Sequence, residues 1–281
     1  MTRRTGPGSG RAAGLEGGRR VITSRDNPLL RDIHRLLRDG RRRRDGDVFA
    51  LEGARLCEDA ALSGVPIRAV LYTAGAKAAY PRQWERLRAA CPRCEEIPEA
   101  LAHRIGDTQH PQGLFCLCAL PPVSLHLETL SPGGRYLALE NLRDPGNLGT
   151  IFRTAEALGT DGLLLSDGCC DPYNPKVLRS SMGGVFRLPF ARVPDMPAAV
   201  EALQSRGFCC FACVADQNAV PLPRIRFSPG SVCLVGNEGD GLTPQTVRAC
   251  RKRLTIPMAG RAESLNAAMA AGIVLWELMK R

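Results

Sequence analysis

The chain has 281 residues, 44% hydrophobic and 23% charged, a composition of ordinary globular domains rather than of collagen, fibre or wholly disordered sequence. Its longest uncharged apolar run, Leu265 to Trp276, covers 12 residues, well short of the roughly 20 that a spanning helix needs. The formal net charge of +10 is uneven: residues 1–50 hold 13 arginines against six acids, whereas residues 51–281 hold 25 basic against 22 acidic side chains.

Only four of the basic residues are lysine, and the planar fork of arginine suits bidentate contact with phosphate. A polyanion such as RNA is therefore an expected partner, weighed against the plainer reading of a solvated basic surface. No apolar segment precedes Val21, so a secretory signal is not expected and the expected compartment is the cytoplasm. In that compartment the 12 cysteines are expected to be reduced small hydrophobes. The pairs Cys91/Cys94 and Cys210/Cys213 would make a metal site only by converging, and none is expected.

Residues 1–20, rich in Gly and Arg, read as a basic tail without hydrophobic period. Leu29, Leu30, Ile33, Leu36 and Leu37 then recur at helical spacing after Asn27 as cap and Pro28 in the first turn, with Gly40 as the stop. A charged loop, Arg41 to Arg44, follows. Strands are predicted at Val48–Leu51, Ile67–Tyr72 and Gly113–Leu120, with helices at Ala54–Leu62 and Pro81–Ala90 between them. A Pro- and Gly-rich linker over 121–134 separates this domain, residues 21–120, from a second over 135–281. There the predicted strands are Tyr136–Leu139, Gly162–Ser166, Gly207–Val214, Val232–Val235 and Leu254–Ile256. The predicted helices are Leu148–Leu158, Pro175–Met182, Pro197–Ser205, Pro244–Ala249 and Ser264–Met279. The alternation is that of a two-domain α/β chain.

Three polar, glycine-punctuated segments of the second domain stand where strands should end, the usual place for ligands in open α/β sheets. Glu140 to Ala155 contains a Pro-Gly turn, with Asn147 as a helix cap and Arg153 further along that helix. Gly236 to Leu242 places three glycines in six residues after an apolar strand. It matches neither the G-x-G-x-x-G of dinucleotide folds nor a Walker A loop, which argues against a dehydrogenase or a nucleotide triphosphatase. Ile256 to Asn266 leads into an apolar helix for which Ser264 is a cap candidate. Singly, each segment reads as well as a turn and cap.

Together, N-x-x-D-P-G-N-x-G-x-x-x-R-x-A from Asn141, G-N-E-G-x-G-L from Gly236 and I-P-M-x-G-x-x-E-S-L-N from Ile256 resemble the three motifs of the SpoU (TrmH) branch of the SPOUT RNA methyltransferases. The stretches Phe49 to Gly53 and Thr108 to Gly113 are similar, more weakly, to the RNA substrate-binding domain that precedes it in that family. The resemblance implies a trefoil-knotted, mostly parallel sheet, a homodimer through the C-terminal domain, S-adenosyl-L-methionine as methyl donor and an RNA ribose 2′-hydroxyl as acceptor. Ribosomal RNA is the leading substrate, with transfer RNA or a non-catalytic role in ribosome assembly as alternatives. By motif position the catalytic residues would be Arg153, Asn147, Glu238, Ser264 and Asn266. Donor binding would fall to Gly236, Asn237, Gly241, Ile256, Met258, Ser264 and Leu265. Arg153 is open to two roles, base for the hydroxyl or clamp on the neighbouring phosphate; Glu238 is expected to hold that arginine or a backbone amide. Arg31, Arg35, Arg38, Arg41, Arg42, Arg43 and Arg44 would grip the RNA backbone.

Overall fold

A computed structural model of the chain describes residues 20–40, 43, 47–121 and 125–280. The expected tail therefore lies outside the described residues, except that Arg20 already belongs to a strand.

The N-terminal domain is a five-stranded sheet in the order β1-β4-β3-β5-β2, built from β1 (Arg20–Val21), β2 (Val48–Glu52), β3 (Ile67–Tyr72), β4 (Cys94–Glu96) and β5 (Leu114–Ala119). The side-chain period of two sorts each strand between two cores. From β2, Ala50 faces a cluster with Leu71, Phe115, α1 (Pro28–Arg38) and α5 (Glu99–Ile105). Phe49 and Leu51 face the opposite cluster with α2 (Ala54–Leu62) and α4 (Pro81–Ala90). Asn27 caps α1 through Leu29 N–H at 2.9 Å and Pro28 opens it, as expected. The stop differs: the helix ends at Arg38 and Asp39 turns extended, so Gly40 is not the terminator. β1, β4, α3 (Ala74–Ala79) and α5 escaped the periodicity reading because each is too short for a period to show, from two to seven residues.

The C-terminal domain is a seven-stranded, wholly parallel sheet in the order β10-β12-β9-β11-β6-β7-β8. Its strands are β6 (Arg135–Leu139), β7 (Gly162–Ser166), β8 (Phe190–Val193), β9 (Cys209–Cys213), β10 (Val220–Pro221), β11 (Ser231–Val235) and β12 (Lys252–Thr255). The central strands β6, β7 and β11 are buried at nearly every position, because helices cover both faces of a parallel sheet. One face carries α6 (Pro145–Leu158), α7 (Pro175–Ser181), α8 (Gly184–Arg187) and α11 (Ala267–Met279); the other carries α9 (Met196–Ser205) and α10 (Pro244–Ala249). Gly149 lets α6 meet α7, since a Cβ there would stand 1.9 Å from Ser180 Oγ.

Two helix starts differ from expectation. Asp144, not Asn147, caps α6, its carboxylate accepting the Asn147 N–H at 2.7 Å. Asn266, not Ser264, caps α11 by accepting from Ala268 and Met269 at 2.9 and 3.2 Å. The capping oxygen reaches the N3 donor at Asp144 and both the N2 and N3 donors at Asn266. The expected linker is also partly packed: Leu125 and Leu130 are buried beside Tyr136 and Leu164.

The two domains share one apolar cluster. Phe49 stacks on Tyr173 with ring centroids 4.6 Å apart, and Arg179 pairs with Asp107 at 3.0 Å.

Candidate active site

β6 and β11 are neighbours in register, Leu139 opposite Val235, so the segments that leave them emerge side by side. Directly after β6 comes Glu140, 4% exposed. A carboxylate there must be hydrogen-bonded, and it accepts from Thr243 N–H at 2.7 Å, Thr243 Oγ1 at 3.0 Å and Thr246 Oγ1 at 2.5 Å. Glu140 thereby ties the first segment to the start of α10 and closes the Gly236–Leu242 loop from below. Sequence reasoning quoted Glu140 without assigning it a role. The signal was available: an acid ending an apolar strand, with Thr-Pro-Gln-Thr elsewhere to receive it. Asn141 follows with a left-handed φ of +56°, its N–H donating to Ser166 Oγ at 2.8 Å.

The β11 loop folds on itself. Asn237 Oδ1 accepts from Gly239 N–H at 2.8 Å and Asp240 N–H at 2.6 Å, and Asn237 N–H donates to Gly241 O at 3.2 Å. Gly236 is the close-packed point: a Cβ there would stand 1.9 Å from the Gly241 carbonyl carbon. Gly241 takes the left-handed φ of +70° that favours glycine.

The three segments meet at Asn147. Its Nδ2 donates to Glu238 Oε1 at 2.8 Å, and its Oδ1 accepts from Asn266 Nδ2 at 3.0 Å. One residue from each motif is thus joined through a single amide, and Asn266 simultaneously starts α11. Glu238 holds the Asn147 side chain, not Arg153 or a backbone amide as expected, because Asn147 is the donor presented to it. Arg153 lies two turns further along α6, exposed and, among the described residues, with no hydrogen bond or ion pair. Ser264 is likewise exposed and unbonded among the described residues. The third segment displays apolar surface around it: Met258 and Leu265 are 37% and 39% exposed, while Ile256 is half-buried.

The basic residues expected to hold RNA separate into four groups. Arg31 and Arg35 are exposed on α1. Arg38 donates to the His34 ring and, at 2.8 Å, to Gly106 O, so it also clamps α1 to the end of α5. Arg43 must be removed from the RNA-binding set: its side chain is 4% exposed and its Nε pairs with Asp171 Oδ2 at 2.7 Å. Arg41, Arg42 and Arg44 lie outside the described residues. The cysteines are all free thiols, and no His, Cys, Asp and Glu group among the described residues could hold a metal. A cavity of about 320 Å³ between the domains, lined by Glu52, Arg55, His110, Gln112, Arg179 and Met182, contains no residue of the three C-terminal motifs but brings together the stretches Phe49–Gly53 and Thr108–Gly113.

Residues 134–276 match the SpoU rRNA methylase family and residues 27–116 the MRM3-like substrate-binding domain. A Bacillus subtilis 23S rRNA (guanosine(2553)-2′-O)-methyltransferase, RlmP, is 32% identical over 92% of this chain and 98% of its own. The crystal structure of an AdoMet-bound rRNA methyltransferase from Sinorhizobium meliloti superposes with a TM-score of 0.80 at 32% identity, covering 92% of this chain and 97% of that one. The SpoU methyltransferase AviRb from Streptomyces viridochromogenes, in complex with the cofactor AdoMet, gives a TM-score of 0.78 at 30% identity, over 90% and 97% of the two chains. With three motifs converging on one asparagine and this likeness running through both domains, the chain belongs to the SpoU rRNA methylase family.

Proposed function

We propose that the protein transfers a methyl group from S-adenosylmethionine to a ribose 2′-hydroxyl of ribosomal RNA. The observation that carries the reading is the junction at Asn147, which joins the motif-bearing segments of a family whose similar member in Bacillus subtilis is named a 23S rRNA 2′-O-methyltransferase. The residues present fit the donor. The Gly236–Gly241 loop is drawn tight by its own hydrogen bonds, its glycines leaving a turn without side-chain bulk for a nucleoside to approach, while Ile256, Met258 and Leu265 offer apolar surface to a purine face. When bound there, the donor supplies a sulfonium methyl whose leaving group is a neutral thioether, so no general acid is required.

The chain's own task is therefore to place and polarise the hydroxyl. Asn147, held between Glu238 and Asn266, is fixed in orientation before substrate arrives, which is the condition under which polar groups contribute most to a rate. Ser264 adds a hydroxyl that can donate to or accept from the ribose. Arg153 serves as the phosphate clamp rather than the base: guanidinium stays protonated in proteins, and its fork matches a phosphate bidentately. α11 supports a homodimer, since it is apolar nearly all round and leaves Met269 and Trp276 exposed, with the half-buried Gly272 and Ile273 between them. The trefoil knot implied by family membership would be closed by the segment from Ile256 through α11, which returns from β12 to pack on α6. Residues 21–120 and 135–281 would act as substrate and catalytic domains. No helix among the described residues is long and apolar enough to cross a membrane.

The test is incubation of the purified protein with S-adenosylmethionine and ribosomal RNA, followed by nucleoside mass spectrometry. A 2′-O-methyl nucleoside at one position, absent with Arg153→Ala, supports the reading; methylation on a base, or on transfer RNA alone, overturns it.

A further inference from the structure

We infer that the cleft between α1 and α5 is a phosphodiester-binding site through which the N-terminal domain grips successive phosphates of an RNA strand. The inference rests on the methyltransferase reading for the identity of the RNA, but its structural grounds are separate.

The cleft encloses about 310 Å³ and presents Arg25, Arg31, His34, Arg35 and Arg104 around a base of Leu30 and Ile105, with Asp26 the only acid in its lining. Arg31 and Arg35 stand four residues apart and so share one face of α1, while Leu29, Leu30, Ile33, Leu36 and Leu37 bury the other. Arg104 comes from the last turn of α5 and Arg25 from the segment before α1. All four arginines are exposed, and among the described residues none has an ion-pair partner.

Other arginines, Arg153 among them, also lack a carboxylate partner among the described residues; what sets these four apart is their convergence on one cleft. Arg43, Arg86, Arg93, Arg179, Arg187 and Arg253 each have a carboxylate within 3.0 Å. Like charges gathered around one concavity repel one another, and an anion entering the cleft relieves the repulsion while gaining from all four. His34 lines the same cleft. Burial, then the neighbouring positive charges of Arg38 and Arg104, hold its imidazole below the ordinary histidine range. The ring is itself held by the Arg38 guanidinium and the Ile105 backbone, so it forms a fixed part of the cleft wall against which a phosphate would lie. Four guanidiniums exceed what one small anion can neutralise, whereas consecutive phosphates along a strand match them in number and charge. The cleft also replaces what the Arg41–Arg44 run loses through the burial of Arg43.

The experiment measures the affinity of full-length protein for a short single-stranded RNA across a salt series, wild type against the triple variant Arg31→Gln, Arg35→Gln, Arg104→Gln. Counterion release predicts that three lost phosphate contacts flatten the log–log salt slope by about 2 for a single strand. The matching triple lysine variant should retain most of the slope, and the His34 ring resonances should move when RNA is added. Binding of S-adenosylmethionine should be the same in all three proteins. A salt slope unchanged in the glutamine variant overturns the inference, as does wild-type binding of inorganic phosphate as tight as that of RNA at matched ionic strength. Wild-type protein that binds RNA with the predicted slope but methylates no ribose would instead overturn the methyltransferase reading and leave the cleft standing.

Discussion

Asn147 uses its side-chain amide in both directions, donating to Glu238 and accepting from Asn266, and that double use makes it a sharper target than the more exposed polar residues of the site. Asn147→Ala should lower kcat for ribose methylation by about 10²-fold, the scale seen when one preoriented polar group is removed from a reacting centre. Because α6 is capped by Asp144, the same variant should shift Tm little, as a thermal scan would show. Glu140 predicts the opposite pattern. Its carboxylate is buried under three donors from Thr243 and Thr246, so Glu140→Ala leaves those groups unsatisfied and should cost about 2–4 kcal/mol of stability, read as a fall in the denaturant midpoint. The thiols give a third test at this scale. Burial pushes Cys94 up to about 11 and Cys210 and Cys250 up to about 12, and a raised thiol pKa means less thiolate, the reactive form, at a given pH. Iodoacetamide at pH 8 should therefore spare these three cysteines in the native protein and label them once guanidinium unfolds it; peptide mass spectrometry would reveal native-state labelling if the thiols were reactive.

Elements of intermediate length with a clear period are legible in the amino-acid sequence: α1, α2, α4 and the central strands β6, β7 and β11 stand within a residue or two of their expected places, apart from α6, which starts three residues earlier. What could not be read was of two kinds. Short pieces such as β1, β10 and α8 carry too few residues for a period to declare itself. Helix starts such as Asp144 and Asn266 are decided by which of several polar neighbours reaches the free N–H groups, a contest settled by backbone geometry rather than residue type. The polarity of α11 was legible and its consequence was not, since an apolar helix can be covered by its own domain or by another chain. Met269 and Trp276 remain 61% and 56% exposed, which is why a partner is proposed for that face. Trp276→Glu should then sediment as a monomer at concentrations where the wild type sediments as a dimer; a wild type that is monomeric at those concentrations would leave that face uncovered and refute the dimer.

At the scale of the whole molecule, the fate of Arg43 shows how far a run of like residues can mislead. Arg41 to Arg44 read as four equivalent charges on a loop, yet the third enters the seam between domains and pairs with Asp171, 128 positions away. Nothing local marks it out, because its partner belongs to the C-terminal domain, just before Tyr173, whose ring stacks on Phe49. The pairing places a charge-assisted contact beside an aromatic one at the seam between the two sheets. Removing one member strands the other in a low-dielectric seam, so Arg43→Ala should destabilise the protein by about 3–5 kcal/mol, more than the bond itself contributes. The double variant Arg43→Leu, Asp171→Leu abolishes the pair without leaving a lone charge and should recover much of that loss. The two variants separate stability from function. If the ion pair sets the angle between the domains, the double variant folds but its KM for RNA rises, with binding of S-adenosylmethionine unchanged; a double variant with wild-type KM would show that the aromatic contact alone maintains the arrangement.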